Sequence, residues 1–155
     1  MTVREIYISP GHNFFGHHGK AAGTHPTLSV DEVECVAGEG LRGDRFFGYK
    51  KDYLGQVTFL AEEVFQALCA HFKVVDKSAA LLRRNVITSG IDLNELIGVQ
   101  FELQGIRFRG VAECSPCLWM NASFGPGAED FLKDRGGLRA RILTSGILRV
   151  DNKTA

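Results

Sequence analysis

QFELQGIRFRGVAEC, residues 100–114, reads as two strands, or one bent strand, around Gly105. Short apolar runs broken by glycine recur on both sides of it. Downstream, LRARILTSGILRV (138–150) reads as strand, turn, strand. Upstream, EIYISP (5–10) reads as a first strand ended by Pro10-Gly11, LSVDEVECVAGEG (28–40) as strand then turn, and GQVTFL (55–60) as another strand. RNVITSGI (84–91) is strand-like as well. Helices are inserted irregularly rather than after each strand. One starts near Ala61, because Val64, Phe65, Leu68, Cys69 and Phe72 recur at helical spacing. KSAALLRR (77–84) predicts a short helix capped by Ser78. DLNELIG (92–98) has Asp92 as its cap, Glu95 three positions on and Gly98 just past its end. PGAEDFLKDRGG (126–137) predicts a further short helix followed by glycines. No helix is expected at Ser115, since Pro116 is followed by LWMNASFG. The pattern disfavours a doubly wound parallel sheet and predicts a mainly β, barrel-like domain with a few short helices. NVITSGI (85–91) and RILTSGI (141–147) echo each other and could mark two similar strand-turn units.

The 155 residues suffice for one domain and are short for two, so 1–155 is read as a single domain. A chain of this length buries about 70% of its unfolded surface and needs neither disulfide nor metal to fold. Eighteen basic residues balance eighteen acidic ones, which gives no global pull toward nucleic acid or an anionic membrane. No run of about 18 apolar residues predicts a membrane span. MTVREIYISP lacks the basic and apolar regions of a signal peptide. The expected location is the cytoplasm, where the four cysteines stay reduced, and this argues against a structural disulfide. Eleven of the eighteen basic residues are arginines, and eight of those lie from Arg83 onward. A guanidinium fork suits phosphate or carboxylate, so a neutral chain can still hold one cationic pocket.

AECSPCLWMN (112–121) sets Cys114 and Cys117 in a C-x-x-C spacing beside the only tryptophan, Trp119. A closed zinc site needs four ligands, usually in two close pairs. Cys35 and Cys69 are isolated, so a second pair would have to come from His12, His17, His18 or His25, in an order that matches no common zinc module. A thioredoxin-like dithiol wants a helix starting at the motif and a βαβ context. Two buried thiols packing as small hydrophobes stay open. So does a single working thiolate, which needs arginines or a metal beside it. Soft sulfur would suit a soft or high-valent metal better than magnesium or calcium. The glycine-flanked GHNFFGHHG (11–19) could bring His12 and one of His17 or His18 into a pocket, where an imidazole can relay protons.

Five segments, in order, resemble the MOSC domain, named for the C-terminal domain of molybdenum-cofactor sulfurase, in its small stand-alone bacterial form. They are GHNFFGHHG (11–19), GEGLRGDRFFG (38–48), LRRNVITSGIDLNELIGVQFELQGIRF (82–108), ECSPC (113–117) and RGGLRARILTSGILRV (135–150). The likeness spans nearly the whole chain. It implies a MOSC-type β-barrel with a few peripheral helices, and binding of the molybdenum cofactor (molybdopterin) or of sulfur destined for it. In reductase relatives such as the mitochondrial amidoxime-reducing component, a cysteine of this motif ligates molybdenum. By motif that cysteine is Cys117, with Cys114 as runner-up. The R-x-N of the central signature falls on Arg83 and Asn85, which the resemblance places against the cofactor. Arg84 stands where relatives often have proline. Arg83, Asn85, Arg135, Gly136 and Gly137 are then expected to hold the cofactor phosphate through guanidinium forks and backbone N–H groups.

The resemblance further implies two-electron reduction of a small N-hydroxylated substrate, such as a hydroxylaminopurine or an amidoxime. His12 and His17 are the expected proton relays. No flavin, haem or iron–sulfur motif occurs in the chain, so an external electron-donor protein is expected, with no nucleic-acid or membrane partner. No pyridoxal-phosphate desulfurase domain accompanies it, and a complete cofactor sulfurase is not expected. The alternative is a non-catalytic sulfur carrier or cofactor-binding module with a persulfide on Cys117 or Cys114. A third reading is an interaction domain that keeps the fold without the chemistry. Asp44 and Arg45 in GDRF are expected to form a buried ion pair that fixes a loop.

Overall fold

The computed structural model describes residues 1–13 and 23–151. The run at 100–114 resolves into two strands: β7 (Gln100–Leu103) and β8 (Ile106–Glu113) pair antiparallel, with Leu103 opposite Ile106. Gln104 and Gly105 between them both take positive φ, 52° and 78°. A two-residue turn of this kind matches the twist of the strands it joins. Five further strands complete a seven-stranded sheet: β1 (Thr2–Ile8), β2 (Leu28–Val30), β5 (Val57–Ala61), β6 (Val86–Ser89) and β9 (Leu138–Ile142). Their order is β2-β1-β6-β5-β9-β8-β7. A smaller sheet, ordered β10-β3-β4, is built from β3 (Glu32–Val36), β4 (Gly40–Leu41) and β10 (Gly146–Arg149). Every ladder is antiparallel except β5 with β6. That parallel pair needs a crossover, and α1 (Glu62–Phe72) followed by a 3₁₀ turn at Ala79–Leu82 supplies it.

The chain is thus mainly β with a few short helices. Among the described residues no pairing joins β2 to β7, or one sheet to the other, so the ladders draw two open sheets rather than a closed barrel. Packing accounts for this. Inward residues of the large sheet, among them Val3, Phe59 and Phe108, share one core with Val33, Cys35 and Leu148 of the small one. A shared core buries both apolar faces without a strand ladder between them, and single backbone bonds join their ends, Gly38 N–H to the Ile142 carbonyl and Asp151 N–H to the Val3 carbonyl.

The other side of the large sheet is covered over half its width. Tyr7, Leu60 and Ile87 lie in a second core with Leu68 of α1, Met120 of α2 (Leu118–Ser123) and Leu132 of α3 (Ala128–Leu132). This layer covers β1, β6 and β5. The same face of β8 and β9 carries arginines instead. Helix α2 departs from expectation. Proline restricts the residue before it, here Ser115, but not the residues after it. Cys117 therefore stays extended (φ −138°) and the helix starts at the next residue.

The Ser78 hydroxyl accepts from the Ala80 N–H and the Asp92 carboxylate from the Asn94 N–H, as expected of caps, each on a single 3₁₀ turn. The two echoing segments are not a structural repeat. Thr88 and Ser89 pair within β6, opposite Val3 and Thr2. Thr144 and Ser145 instead lie between β9 and β10. No helix of the described residues is long and apolar enough to cross a membrane.

Candidate functional site

Where the helical layer stops, a cavity of about 270 Å³ opens over the large sheet. Four guanidinium groups, Arg45, Arg83, Arg84 and Arg139, line it together with Cys114 and Cys117. His12, Tyr53 and Trp119 complete its polar and aromatic wall.

Arg83 ends the 3₁₀ turn in the left-handed conformation, φ 56°. Its guanidinium is buried, and among the described residues its hydrogen bonds go to neutral oxygens: Thr27 Oγ1 at 3.1 Å, Ser9 Oγ at 2.9 Å and the Gly11 carbonyl at 2.9 Å. Burial pushes its pKa down to about 10, and the Arg45 charge adds to that while Asp44 opposes it. The group stays cationic at neutral pH, without an ion pair among the described residues. Arg84 is a clamp. It donates to three backbone carbonyls, Gly136 at 2.9 Å, Leu82 at 3.2 Å and Cys114 at 2.9 Å. It thereby ties the C-x-x-C loop to the RGG segment.

Arg45 forms the expected buried ion pair with Asp44, at 3.2 Å. The Asp44 carboxylate also accepts from the Ser9 and Phe46 N–H groups. Burial lowers the Arg45 pKa, with Asp44 opposing. Arg139 behaves otherwise. Burial alone would lower its pKa, but the neighbouring Cys114, with Tyr53 and Cys117, outweighs this, and the net direction is up. Four cations thus face the cavity with Asp44 as their one ion-pair partner among the described residues.

The cysteines divide into two pairs. Cys35 lies in the first core, where burial pushes its thiol to about 12. Cys69 packs at the second core and burial raises it too. Cys114 is buried and Cys117 half-buried, and both line the cavity. His12 meets Phe46 edge-on at 4.9 Å. Burial and then the Arg45 charge hold its imidazole below the usual histidine value, with Asp44 opposing. It is a neutral ring at pH 7.

The structure therefore brings together His12, Arg83, Arg84, Cys114 and Cys117, and leaves other expected residues elsewhere. Asn85 is buried but absent from the cavity wall. Its Oδ1 accepts from the Thr58 N–H and hydroxyl and its Nδ2 donates to the Tyr7 carbonyl, so it knits β1, β5 and β6 together. Arg135 lies over the Phe131 ring at 4.4 Å and lines a second cavity of about 530 Å³. Gly136 sits behind the C-x-x-C loop, where a Cβ would come within 2.4 Å of the Cys114 carbonyl oxygen. His17 lies outside the described residues. No cluster of three or more His, Cys, Asp or Glu forms among the described residues, so no zinc set built from them is present there.

Sequence reasoning missed Arg139 and Tyr53, and assigned Arg45 to a loop alone. The signal for Arg139 lies in strand register. Ala112 stands opposite Arg139 across a bulge, which brings that arginine beside Cys114. The alternation of buried Leu138 and Ala140 about a half-buried arginine is visible in the chain, but the pairing is not.

The donor set fits an anionic group with a soft metal: excess guanidinium charge, one cation held only by neutral oxygens, and two thiols. The volume is close to the lower limit of about 300 Å³ for small-molecule sites.

A family model for the MOSC domain matches residues 52–154. Among solved structures, YuaD from Bacillus subtilis superposes with a TM-score of 0.75 at 18% identity, over 97% of this chain and 92% of that one. YiiM from Escherichia coli gives 0.65 at 18% identity, over 97% and 67%. YiiM from Geobacillus stearothermophilus gives 0.66 at 12%, over 96% and 70%. No curated protein sequence matches. Identities this low show a shared fold.

Proposed function

The chain belongs to the MOSC domain family, and we propose that it binds the molybdenum cofactor and reduces small N-hydroxylated compounds with electrons from a separate donor protein. The observation that carries this reading is one cavity lined by four arginines and by both cysteines of the C-x-x-C motif. Arg83 is the natural seat for the cofactor phosphate, because its charge is buried without an ion pair among the described residues. Charge-assisted bonds of this kind are about twice as strong as neutral ones. Cys117, in the same wall, would supply the metal's sulfur ligand. Arg84 holds the loop that carries the cysteines, and Arg139 lies beside Cys114.

When bound, the cofactor supplies two-electron redox chemistry. The net reaction adds two electrons and two protons to R–NHOH and releases R–NH₂ and water. His12, neutral at the cavity wall, can take a proton at its ring nitrogen and pass it on. Burial keeps the Tyr53 phenol protonated, so it can donate a hydrogen bond to a substrate oxygen.

A second reading rests on the placing of Arg139 beside Cys114 in the cavity wall. A persulfide on Cys114 would find its countercharge there, as in a sulfur carrier. Expression in a cofactor-competent host followed by metal and sulfane-sulfur analysis separates the two. Stoichiometric molybdenum that is lost in Cys117→Ser supports the enzyme. Molybdenum retained in that variant but lost in Cys114→Ser moves the ligand to Cys114. Sulfane sulfur without metal supports the carrier, and neither signal refutes both.

A further inference from the structure

Elsewhere on the surface, arginines stand beside carboxylates: Arg4 by Glu62, Arg42 by Glu34 and Arg149 by Glu32. On β8 and β9 this stops. Arg107 and Arg109 alternate along β8, Arg139 and Arg141 along β9, and Arg109 stands directly opposite Arg141. The four share one face, and among the described residues none is in an ion pair. Like charges set opposite each other across a ladder destabilise it. Arg141 adds a second anomaly. Its Nε is buried without a partner, while its Nη2 donates to the Asp52 carbonyl. The acid facing the row from β7 is Glu102, opposite Arg107, and it leaves the row net positive.

Position gives the row its meaning. The helices cover the β1–β6–β5 half of this side; in the arginine half Arg107 and Arg109 are exposed, while the Asp52–Gly55 segment lies against the half-buried Arg139 and Arg141. The inner end of the row is Arg139, which lines the cavity together with Cys114. Positive charge therefore runs from the exposed Arg107 and Arg109 to the place where electrons would be used.

We propose that the β8–β9 arginine face docks a small acidic electron-carrier protein, whose carboxylates pair with Arg107, Arg109 and Arg141 and whose redox group is brought to the cavity mouth. This rests on the reductase reading above. Arginine is the cation most enriched at protein interfaces. Complementary charge of this kind speeds encounter more than it deepens affinity, which suits a donor that must leave after each delivery. Nucleic acid is disfavoured because the chain as a whole carries no net charge.

The test reads binding before turnover, with labelled flavodoxin as the acidic probe and an Arg107→Gln/Arg109→Glu variant. Both positions lie outside the cavity, and the second substitution sets a carboxylate opposite Arg141, which favours the fold. Saturable binding is expected that weakens about tenfold from ~50 to ~300 mM salt. The variant should bind about tenfold more weakly at low salt. In the cofactor-loaded protein, turnover driven by reduced flavodoxin should fall in the same proportion. Turnover driven by reduced methyl viologen, which needs no docking face, should stay unchanged. No saturable binding, equal binding by the variant, or tighter binding of duplex DNA to this face overturns the proposal. Flavodoxin binding without any viologen-driven turnover in the wild type refutes the reductase reading, and with it the redox role of the partner, while the acidic-partner face survives.

Discussion

The two cavities differ in a way that size does not capture. The larger, about 530 Å³, has Glu63, Asp92, Asn94 and Arg135 among its lining residues. Their polar groups are already engaged. Glu63 accepts from the Gly90 N–H, Asp92 caps a turn, Asn94 donates to the Asp134 carbonyl, and Arg135 covers an aromatic ring. The smaller, about 270 Å³, gathers four cations, two thiols and a neutral imidazole, and one of its cations is buried among neutral oxygens alone. A buried charge with no direct ion pair among the described residues is a cost that a bound anion relieves. On the proposed reading, unspent charge rather than volume marks the site.

The sharpest way to break this contrast is to delete one arginine from each cavity. Arg84→Ala leaves three backbone carbonyls without their charged donor, two of them in the segments that carry the cysteines and the RGG turn. A loss of roughly 3 kcal/mol or more is expected in urea unfolding. Arg135→Ala removes a stacking contact worth about 0.5–1 kcal/mol. Equal losses would mean that Arg84 is no more a keystone than its counterpart.

A smaller effect is expected at Gly136. A Cβ there would lie 2.4 Å from the Cys114 carbonyl oxygen and 2.8 Å from Pro116 Cδ. Gly136→Ala should cost about 1–3 kcal/mol, as overpacking does. It should also change the alkylation rate of Cys117 relative to Cys35, whose thiol burial holds at about 12 and which should react slowest of the four. Destabilisation with an unchanged rate ratio would uncouple Gly136 from the cysteine loop.

Smaller again is the response to inorganic phosphate. At ten times its dissociation constant an anion bound only by the folded state adds about 1.4 kcal/mol, or roughly 3–6 °C in Tm for a chain of this size. The gain should vanish in Arg83→Gln and persist in Arg135→Gln. The reverse result would move the anion site to the larger cavity.

Much of the fold was legible before any coordinates. Short apolar runs broken by glycine marked the strands, Gly105 marked either a turn between two strands or a bend in one, and Ser78 and Asp92 marked the caps, because each of these depends on near neighbours along the chain. The C-x-x-C pair was legible for the same reason, whereas Arg83 came from the resemblance to the MOSC domain. What escaped depends on residues far apart in sequence. Asn85 looks like one unit with Arg83 in R-x-N, yet the left-handed turn at Arg83 separates them, and Asn85 serves the sheet. Arg135 and Gly136 adjoin each other, but only the second touches the cysteine loop. Arg139 joins the site through a bulged register with β8. Whether ten strands close or stack is decided by how two apolar faces meet, which no single segment encodes.

The finest probe of the cation cavity is His12. Burial and the charges of Arg45 and Arg83 depress its pKa from 6.5, with Asp44 opposing. The unfolded chain then binds a proton that the folded protein resists. The stability this histidine contributes is full above pH 6.5 and is lost as pH falls from there through the folded pKa. An NMR titration of the His12 ring should give a midpoint below that of a free histidine. Phosphate in the cavity offsets the two guanidinium charges but not the burial, so it should raise the midpoint without carrying it past the free value. In Arg83→Gln the phosphate-free midpoint should already be higher than in the wild type. A midpoint that ignores phosphate, under conditions where phosphate raises Tm, would mean that the anion binds out of reach of His12. The imidazole could then not serve as a proton relay to anything the arginines hold.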